Sequence, residues 1–153
     1  MAFPNIFTKD VSDEIITRIN QLRPDSQRQW GKMDVGKMLA HCSVAYENIY
    51  EPGKHSPPNF LMKFILKTFV RSVVTNDKPL KKNSPTGKEF IITSDKDFAV
   101  EKNRLIEYIQ KTQQLGDSEF DGKENPAFGV MNKTEWSNLL YKHLDHHLQQ
   151  FGV

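Results

Sequence analysis

Apolar residues recur at intervals of three and four along most of the chain, which is the spacing that places them on one face of an α-helix. A first helix is predicted over about residues 10 to 23, with Asp10 or Ser12 as its N-cap and Pro24 after its end. A second helix begins near Asp34 and stops at the prolines and glycine of "EPGKHSPP". Its apolar stripe consists of Met38, Leu39, Cys42, Ala45, Tyr46 and Ile49.

The segment "NFLMKFILKTFVRSVVT" predicts a third helix over about residues 59 to 75. Lys63, Lys67 and Arg71 follow one another at intervals of four, so they form a narrow basic stripe on an otherwise apolar cylinder. One contact inside a bundle cannot bury so wide an apolar arc. We expect a homodimer to form through this helix. Binding to an anionic membrane surface is the less favoured alternative, because the basic stripe is short.

The stretch from Asn76 to about residue 89 is rich in Pro, Gly, Asn and Lys, which predicts a long, mobile loop near the end of the helices and at the rim of a site. The following "FIIT" predicts a short strand or a buried tether. Ser94 with Asp97 resembles a capping box for a fourth helix, which extends to about residue 114. Asn132 with Glu135 resembles another, for a fifth helix over 133 to 150.

Together these elements predict one all-α domain over residues 1–153. The expected architecture is a four-helix bundle with an additional helix and one long crossover loop. A chain of 153 residues has the length of one ordinary domain and can bury a sizeable core. No internal repeat or low-complexity tract suggests any further division of the chain.

Charge and cysteine content exclude several classes of protein. Twenty-one basic and nineteen acidic residues leave a net charge of +2. Since a nucleic-acid-binding protein shows a clustered excess of Lys and Arg, no nucleic-acid partner is expected. The single cysteine, Cys42, excludes an intramolecular disulfide and a Cys-rich zinc site. The start "MAFPNIFTKDVSDE" lacks the features of a signal peptide, and no apolar run could span a membrane. We therefore expect a cytoplasmic protein.

Three of the five histidines lie in "KHLDHH", within the last predicted helix. The apolar stripe of this helix consists of Trp136, Leu140, Leu144 and Phe151. The opposite side consists of Lys142, Asp145 and Gln149. His143 and His147 are one turn apart and fall inside the apolar stripe. Burial there would favour the neutral imidazole, which is the form that binds metal ions. The pair therefore predicts two metal ligands on one helix face.

A catalytic metal ion takes about three protein ligands and keeps one position open, so a third ligand must come from another helix. His55 lies in the loop "GKHSPP" and is predicted to be solvated. His41 lies midway along the second helix, at the edge of its apolar stripe. From spacing alone, His41 is either a partly buried histidine bonded to a neighbour or the third ligand of a shared site.

Three further residues could surround such a site. His146 falls on the flank of the last helix, where it can support a ligand or face solvent. Asn48 and Gln150 project on the same sides as His41 and His143, about two turns further along their helices. They could orient water or substrate, or they could make ordinary hydrogen bonds at helix ends.

The second-helix sequence "WGKMDVGKMLAHCSVAYE" and the last-helix sequence "EWSNLLYKHLDHHLQQFGV" together resemble the DinB-like and YfiT-like superfamily of metal-binding four-helix bundles. The resemblance covers nearly the whole chain and is closest to an uncharacterised subfamily. It is strongest in "NPAFGVMNKTEWSNLLYKHLDHHLQQFGV", where His-x-x-x-His followed by Leu-x-Gln is the superfamily's pattern. The resemblance implies that His41, His143 and His147 are the three metal ligands. The chemistries assigned to the superfamily are thiol-dependent transfer and metal-dependent hydrolysis.

Such a site predicts a divalent transition metal, zinc or nickel first and iron as a further candidate. The metal could activate a thiol or water for transfer to a small-molecule substrate, and a low-molecular-weight thiol is one expected partner. Cys42 is predicted to be a small buried residue, and Glu47 lies off the shared face, so no carboxylate is an obvious general base. Thiol transfer is therefore favoured over a metal-dependent hydrolase. The remaining alternative is a non-catalytic metal-binding or dimerising interaction module.

Overall fold

The structure is a computed structural model that describes residues 3–153. Met1 and Ala2, which belong to the domain predicted over 1–153, lie outside the described residues. In chain order the elements are α1 (Lys9–Gln21), α2 (Val35–Tyr50), α3 (Phe60–Ile65), a π-helical turn (Leu66–Val70), α4 (Arg71–Thr75), a 3₁₀ turn (Lys88–Phe90), α5 (Phe98–Leu115), α6 (Asp117–Phe120), β1 (Lys123–Asn125), β2 (Gly129–Met131) and α7 (Lys133–Gln150). The described chain is mostly helical, which confirms the predicted all-α class apart from one small sheet.

The long helices α1, α2, α5 and α7 pack around a hydrophobic core. Helix α2 packs along α5 and against α7, and α1 packs against α5 and α7. The side chains at the centre of this core include Ile15, Ile19, Leu39, Tyr46, Leu105, Ile109, Trp136 and Leu144. Each fully buried aliphatic side chain contributes about 1.5–3 kcal/mol. This core fixes α2 against α7, and these two helices carry four of the five histidines.

Two of the predicted helix starts are confirmed. Asp34 caps α2 by accepting a hydrogen bond from the Lys37 main-chain N–H at 2.8 Å. Asn132 and Glu135 form the predicted capping box of α7, whose bounds match the predicted range. Side-chain oxygens at these positions satisfy main-chain N–H groups that the first helical turn leaves unpaired.

Two other helix starts differ from the prediction. Helix α1 begins earlier, with Thr8 at its N-cap position, so neither Asp10 nor Ser12 is the cap. Ser12 lies in the first turn, where its hydroxyl donates to a main-chain carbonyl. Ser94 caps nothing at the start of α5, because Asp97 is itself the N-cap and accepts from the main chain of the first turn.

The third predicted helix is not continuous. The range 59–75 divides into α3, the π-helical turn and α4. None of the side chains in these three pieces is fully buried. Because no deep packing holds the segment to one register, a wider π turn can be accommodated between two short α-helical pieces.

A β-hairpin, absent from the prediction, lies between α6 and α7. Strands β1 and β2 pair antiparallel, with Asn125 opposite Gly129. The Asn125 side chain accepts hydrogen bonds from the main-chain N–H groups of Ala127 and Phe128, which closes the turn. Gly129 has φ +75°, a conformation that favours glycine. Three-residue strands are too short to show a two-residue period in the sequence.

The "FIIT" segment forms no strand. Phe90 ends the 3₁₀ turn and is half-buried, whereas Ile91 is exposed. The segment therefore passes over α2 as an irregular connection. Among the described residues, no helix is both long enough and apolar enough to cross a membrane.

Candidate metal centre

Helices α2 and α7 bring three histidines together. The Nε2 atoms of His41 and His143 are 2.9 Å apart. The ring of His147 lies 4.5 Å from that of His41 and 5.0 Å from that of His143, measured between ring centres. His41 and His147 are buried and His143 is half-buried. The structure thus gathers the three predicted ligands into one cluster, called the histidine centre below.

His41 is oriented by the main chain of the segment that passes over α2. Its Nδ1 lies 2.8 Å from the carbonyl oxygen of Phe90. A carbonyl oxygen can only accept, so Nδ1 carries the proton and Nε2 keeps its lone pair. Histidines that bind metal ions are commonly held in this way, with the second nitrogen donating to a carbonyl or carboxylate.

His147 is oriented by a chain of two hydrogen bonds. Its Nδ1 lies 2.8 Å from Oε1 of Gln150, and Nε2 of Gln150 donates to the Trp30 carbonyl oxygen at 2.8 Å. The second bond fixes which end of the Gln150 amide faces His147, so His147 Nδ1 donates and its Nε2 keeps a lone pair. Gly31 permits this arrangement. It has φ +80°, and a Cβ atom at Gly31 would collide with the Gln150 amide.

The three rings are neutral at physiological pH because burial lowers their pKa values below the ordinary value of 6.5. The pKa of His147 falls to about 3 through burial and the neighbouring His41. Burial and the other histidines hold the pKa of His143 well below 6.5. At His41 the Phe90 carbonyl offsets part of the effect of burial. The centre therefore presents neutral imidazoles, which are electron-pair donors.

This donor set fits a transition metal ion. One nitrogen from each ring can be chosen so that the three atoms lie within 4.8 Å of one another. Nitrogen ligands at about 2.0–2.1 Å from a tetrahedral ion are roughly 3.3 Å apart. Side-chain shifts of roughly 1 Å would therefore bring the three nitrogens to the separation that a bound ion requires. The three histidines could therefore bind a metal ion. Three protein ligands would leave a position for water or substrate.

The three surrounding candidates occupy different places. Gln150 contacts His147 directly, as described above. The centre of the His146 ring lies 5.0 Å from that of His147 and 5.8 Å from that of Trp30, and the ring hydrogen-bonds to the main chain of Leu80. Asn48 is half-buried, and no hydrogen bond among the described residues joins it to the histidine centre. Gln150 is thus the one of the three that holds a predicted ligand.

The predicted solvated state of His55 is wrong. His55 Nε2 lies 2.5 Å from an oxygen of the Glu47 carboxylate, which accounts for its position in the loop. Cys42 is buried, as predicted, and its Sγ lies 3.7 Å from the sulfur of Met38. Burial raises the pKa of the Cys42 thiol, so this side chain is a poor nucleophile.

Lys142 does not lie on an exposed side of α7 as predicted. It is 2% exposed, and its Nζ donates to the Val73 carbonyl and to two oxygens of Asn76 at 2.7–3.0 Å. Burial lowers the pKa of Lys142 to about 8. The end of α4 lies beside α7, and its last carbonyls need donors. Lys142 supplies them, and it thereby anchors the end of α4 to α7.

The Asn76–Lys88 loop passes close to the histidine centre. The main chain of Leu80 bonds to His146, and Lys82 Nζ lies 4.1 Å from the centre of the Trp30 ring. These contacts agree with a loop at the rim of the site. Its mobility stays a prediction.

Two parts of the centre could not be named from the sequence: the carbonyl oxygens of Phe90 and Trp30. A main-chain carbonyl has no residue-type signature, so spacing cannot single it out. The one usable signal was the apolar "FIIT" after a long polar loop, which marks a segment that is tied down to the protein.

A second buried polar group, called the Glu47 cluster below, lies between α2 and α5. It consists of Glu47, Lys54, His55, Glu101 and Arg104. The Glu47 carboxylate is 3% exposed and bonds to Lys54 at 2.9 Å, to His55 and to Arg104. Burial alone would raise the pKa of Glu47, but the donors around it lower the pKa to about 2. A pocket of about 280 Å³ opens beside this cluster.

Fold and site together define a helical protein with a candidate three-histidine metal centre. Residues 6–152 match the family described as "Protein of unknown function (DUF1569)". Because the match covers nearly the whole chain, the protein belongs to this family. This confirms the coarser part of the resemblance, a likeness to an uncharacterised family. No curated protein and no solved structure matches the chain.

Proposed function

We propose that the protein is a DinB/YfiT-type helical bundle whose histidine centre binds one divalent transition metal ion and activates a thiol for transfer to a small-molecule substrate. Zinc and nickel are the first candidates, because imidazole suits both, and iron is a further one. His41, His143 and His147 are the proposed ligands.

One observation carries the proposal: three neutral imidazoles converge, and two of them are already oriented as ligands. The Nδ1–H groups of His41 and His147 are held by the acceptors Phe90 O and Gln150 Oε1. Each Nε2 therefore keeps a lone pair. The lone pair of His41 faces Nε2 of His143, 2.9 Å away, and a bound metal ion would replace this hydrogen bond. A single hydrogen bond between His41 and His143 cannot satisfy three converging nitrogens. A metal ion accepts electron pairs from all three at once.

The ion would lower the pKa of a thiol or water towards neutrality and so supply a nucleophile. The residues of the chain supply orientation and exclusion of water. Phe90 and Gln150 keep the two Nε2 atoms fixed in direction, and burial of His41 and His147 keeps bulk water away from most of the centre. His143 is the least buried of the three residues, and we propose that a small molecule approaches from its side.

A thiol is favoured over water because a suitable base is missing. Among the described residues, no carboxylate belongs to the cluster of potential ligand atoms. Glu47 is held by several donors at a pKa of about 2, which makes it a weak base. Since Cys42 is buried with a raised pKa, the thiol would come from a low-molecular-weight compound. Metal-dependent hydrolysis and non-catalytic metal binding remain the alternatives.

Metal content tests the first half of the proposal. Protein purified without a histidine tag or chelator should contain about one transition metal ion per chain by elemental analysis. Calorimetric titration of the metal-free form with zinc and nickel should show one tight site. Protein that stays metal-free after incubation with both salts would overturn the proposal.

Ligand variants test whether the two helices share the ion. His41→Ala and His143→Ala should each lower metal affinity about 100- to 1000-fold, since one ligand supplies roughly 3–4 kcal/mol of the binding free energy. The double variant should lose little more than either single variant, because the ligands act as a unit. His55→Ala should bind metal like the parent. If His41→Ala also does, the proposed ligand set is wrong.

A cobalt-substituted protein tests the choice of nucleophile. Addition of a low-molecular-weight thiol, with glutathione and 2-mercaptoethanol as probes, should produce the charge-transfer absorption of a thiolate bound to cobalt. Absence of this band, combined with a pH-dependent change from bound water alone, would favour hydrolysis. Absence of both changes would indicate a closed, non-catalytic site.

A further inference from the structure

The segment formed by α3, the π-helical turn and α4 turns its apolar side outward. Phe60 is 89% exposed, Phe64 58% and Phe69 65%. The whole exposed surface, called the 60–73 face below, consists of Phe60, Leu61, Met62, Phe64, Ile65, Phe69 and Val73. Single exposed apolar residues are common in soluble proteins, but a contiguous row of this size is not.

The basic stripe of the same segment lies on the side that contacts the hairpin and α7. Lys63 Nζ lies 3.4 Å from the Glu124 carboxylate on β1. Arg71 donates to both oxygens of Glu135 at 2.9 and 2.7 Å. The Lys67 side chain runs past Gly129 of β2. The usual arrangement of an amphipathic surface helix is therefore reversed, with the cations directed at the hairpin and α7 and the aromatic rings directed at solvent.

The area of the 60–73 face matches one side of a protein interface. An exposed aromatic side chain presents roughly 200 Å², so the three phenylalanines account for roughly 400 Å². Their aliphatic neighbours raise the apolar area to roughly 800 Å², which is what each partner contributes to an interface of standard size. An isolated chain would leave this whole area in contact with water.

We propose that the 60–73 face binds the same face of a second copy of this chain, giving a homodimer with two-fold symmetry. A two-fold interface places one surface against an identical copy of itself. Unpaired like charges in that surface would therefore meet across the interface and repel one another. The 60–73 face avoids this repulsion, since two of the three cations of the segment are paired with carboxylates of their own chain. The same pairing disfavours an anionic lipid surface, which would need those cations to be free at the rim of the apolar area.

The proposal goes beyond the metal chemistry and is tested independently of it. The full chain, with and without zinc, should sediment in analytical ultracentrifugation at twice the mass of one chain and dissociate on dilution. Phe64→Glu and Phe69→Glu should each shift it to the monomer, because both rings lie within the face and a buried carboxylate there would have no partner. Both side chains are largely exposed, so circular dichroism should show an unchanged fold.

Val100→Glu is the matched control. Val100 is an equally exposed apolar residue, but it lies on α5, outside the 60–73 face. This variant should remain dimeric. Co-sedimentation with vesicles of phosphatidylglycerol and phosphatidylcholine completes the test. A parent that is monomeric at every concentration overturns the proposal, and vesicle binding that Phe64→Glu abolishes would assign the face to lipid instead.

Discussion

The histidine centre and the Glu47 cluster both place ionisable side chains on or beside α2. Burial leaves the side chains charged in the Glu47 cluster and neutral in the histidine centre. In the Glu47 cluster a carboxylate is surrounded by an ammonium group, an imidazole and a guanidinium group, so charges are retained and matched. In the histidine centre burial lowers the pKa values, so each ring loses its second proton and neutral rings face one another. The first cluster contains donors and acceptors in balance. The second contains an excess of electron-pair donors.

This difference separates a structural cluster from a candidate binding site. Buried polar groups are normally satisfied within the protein, as those around Glu47 are. In the histidine centre the N–H groups of His41 and His147 are satisfied within the protein, and a lone pair on each of these rings could be completed by an electron-pair acceptor such as a metal ion. Substitutions in one region, followed by measurement of both stability and metal affinity, can therefore test whether the histidine centre alone is the binding site.

The largest expected effect comes from the Glu47 cluster. Glu47→Gln removes the charge that Lys54 and Arg104 share, and it should lower the free energy of unfolding by about 3–5 kcal/mol in urea titrations. Metal affinity should change by less than about 3-fold, since Glu47 contacts none of the proposed ligands.

Glu51→Gln is the matched control for this change. Glu51 also pairs with Lys54, at 2.9 Å, but its side chain is much more exposed. Its loss should cost less than about 1 kcal/mol, as is usual for a surface ion pair. If Glu47→Gln lowers metal affinity as strongly as His41→Ala does, the two regions are not separate.

The next effect concerns how the ligands are held. Gln150→Ala removes the acceptor of His147 Nδ1, and it should lower metal affinity about 10- to 100-fold. Gln150→Glu keeps an acceptor oxygen for His147 but loses the donor to the Trp30 carbonyl, so it should recover part of that affinity. His146→Ala should change affinity by less than about 3-fold, because the ring of His146 packs beside that of His147 but orients no ligand nitrogen through a hydrogen bond. Competition with a chelator measures all three. Equal losses in the Ala and Glu variants would mean that Gln150 acts only through packing.

Most of the helices could be predicted because their apolar periods are long. Helices α2, α5 and α7 each extend over at least sixteen residues and bury one face in a common core. The break in the 59–75 range and the hairpin were not predictable in this way. The first reflects the lack of deeply buried side chains in that range, and the second a turn made by the Asn125 side chain. Both are decided by contacts that a helical period does not encode.

The candidate site shows the same division. The helical period brings His143 and His147 to one face, the need for a third ligand leaves His41 as a candidate, and the family resemblance selects it. The burial of Lys142, the bond of His55 to Glu47 and the role of the Phe90 carbonyl were beyond reach. Each depends on a neighbour from a different element. Sequence spacing therefore predicts which side chains share a helix face, and tertiary packing decides what meets that face.

The pH dependence of stability also separates the two regions. For each histidine the folded pKa lies below the unfolded value of 6.5, so the unfolded chain binds more protons below that pH. Stability of the metal-free protein should therefore be fully present above pH 6.5 and fall as the pH drops, by up to about 1.4 kcal/mol per pH unit for each histidine. The pKa of Glu47 falls from 4.5 to about 2, so its contribution is present above 4.5 and is lost only below it.

Urea unfolding in chelator between pH 7 and pH 3 resolves these two windows. His147→Gln should flatten the slope between about pH 6.5 and 4.5, because a group whose pKa falls to about 3 on folding is then missing. Glu47→Gln should leave that upper slope intact and flatten the curve only below about pH 4.5. An upper slope that is the same in His147→Gln and in the parent would mean that His147 is not neutralised by burial. The contrast between a neutral centre and a charged cluster would then fail.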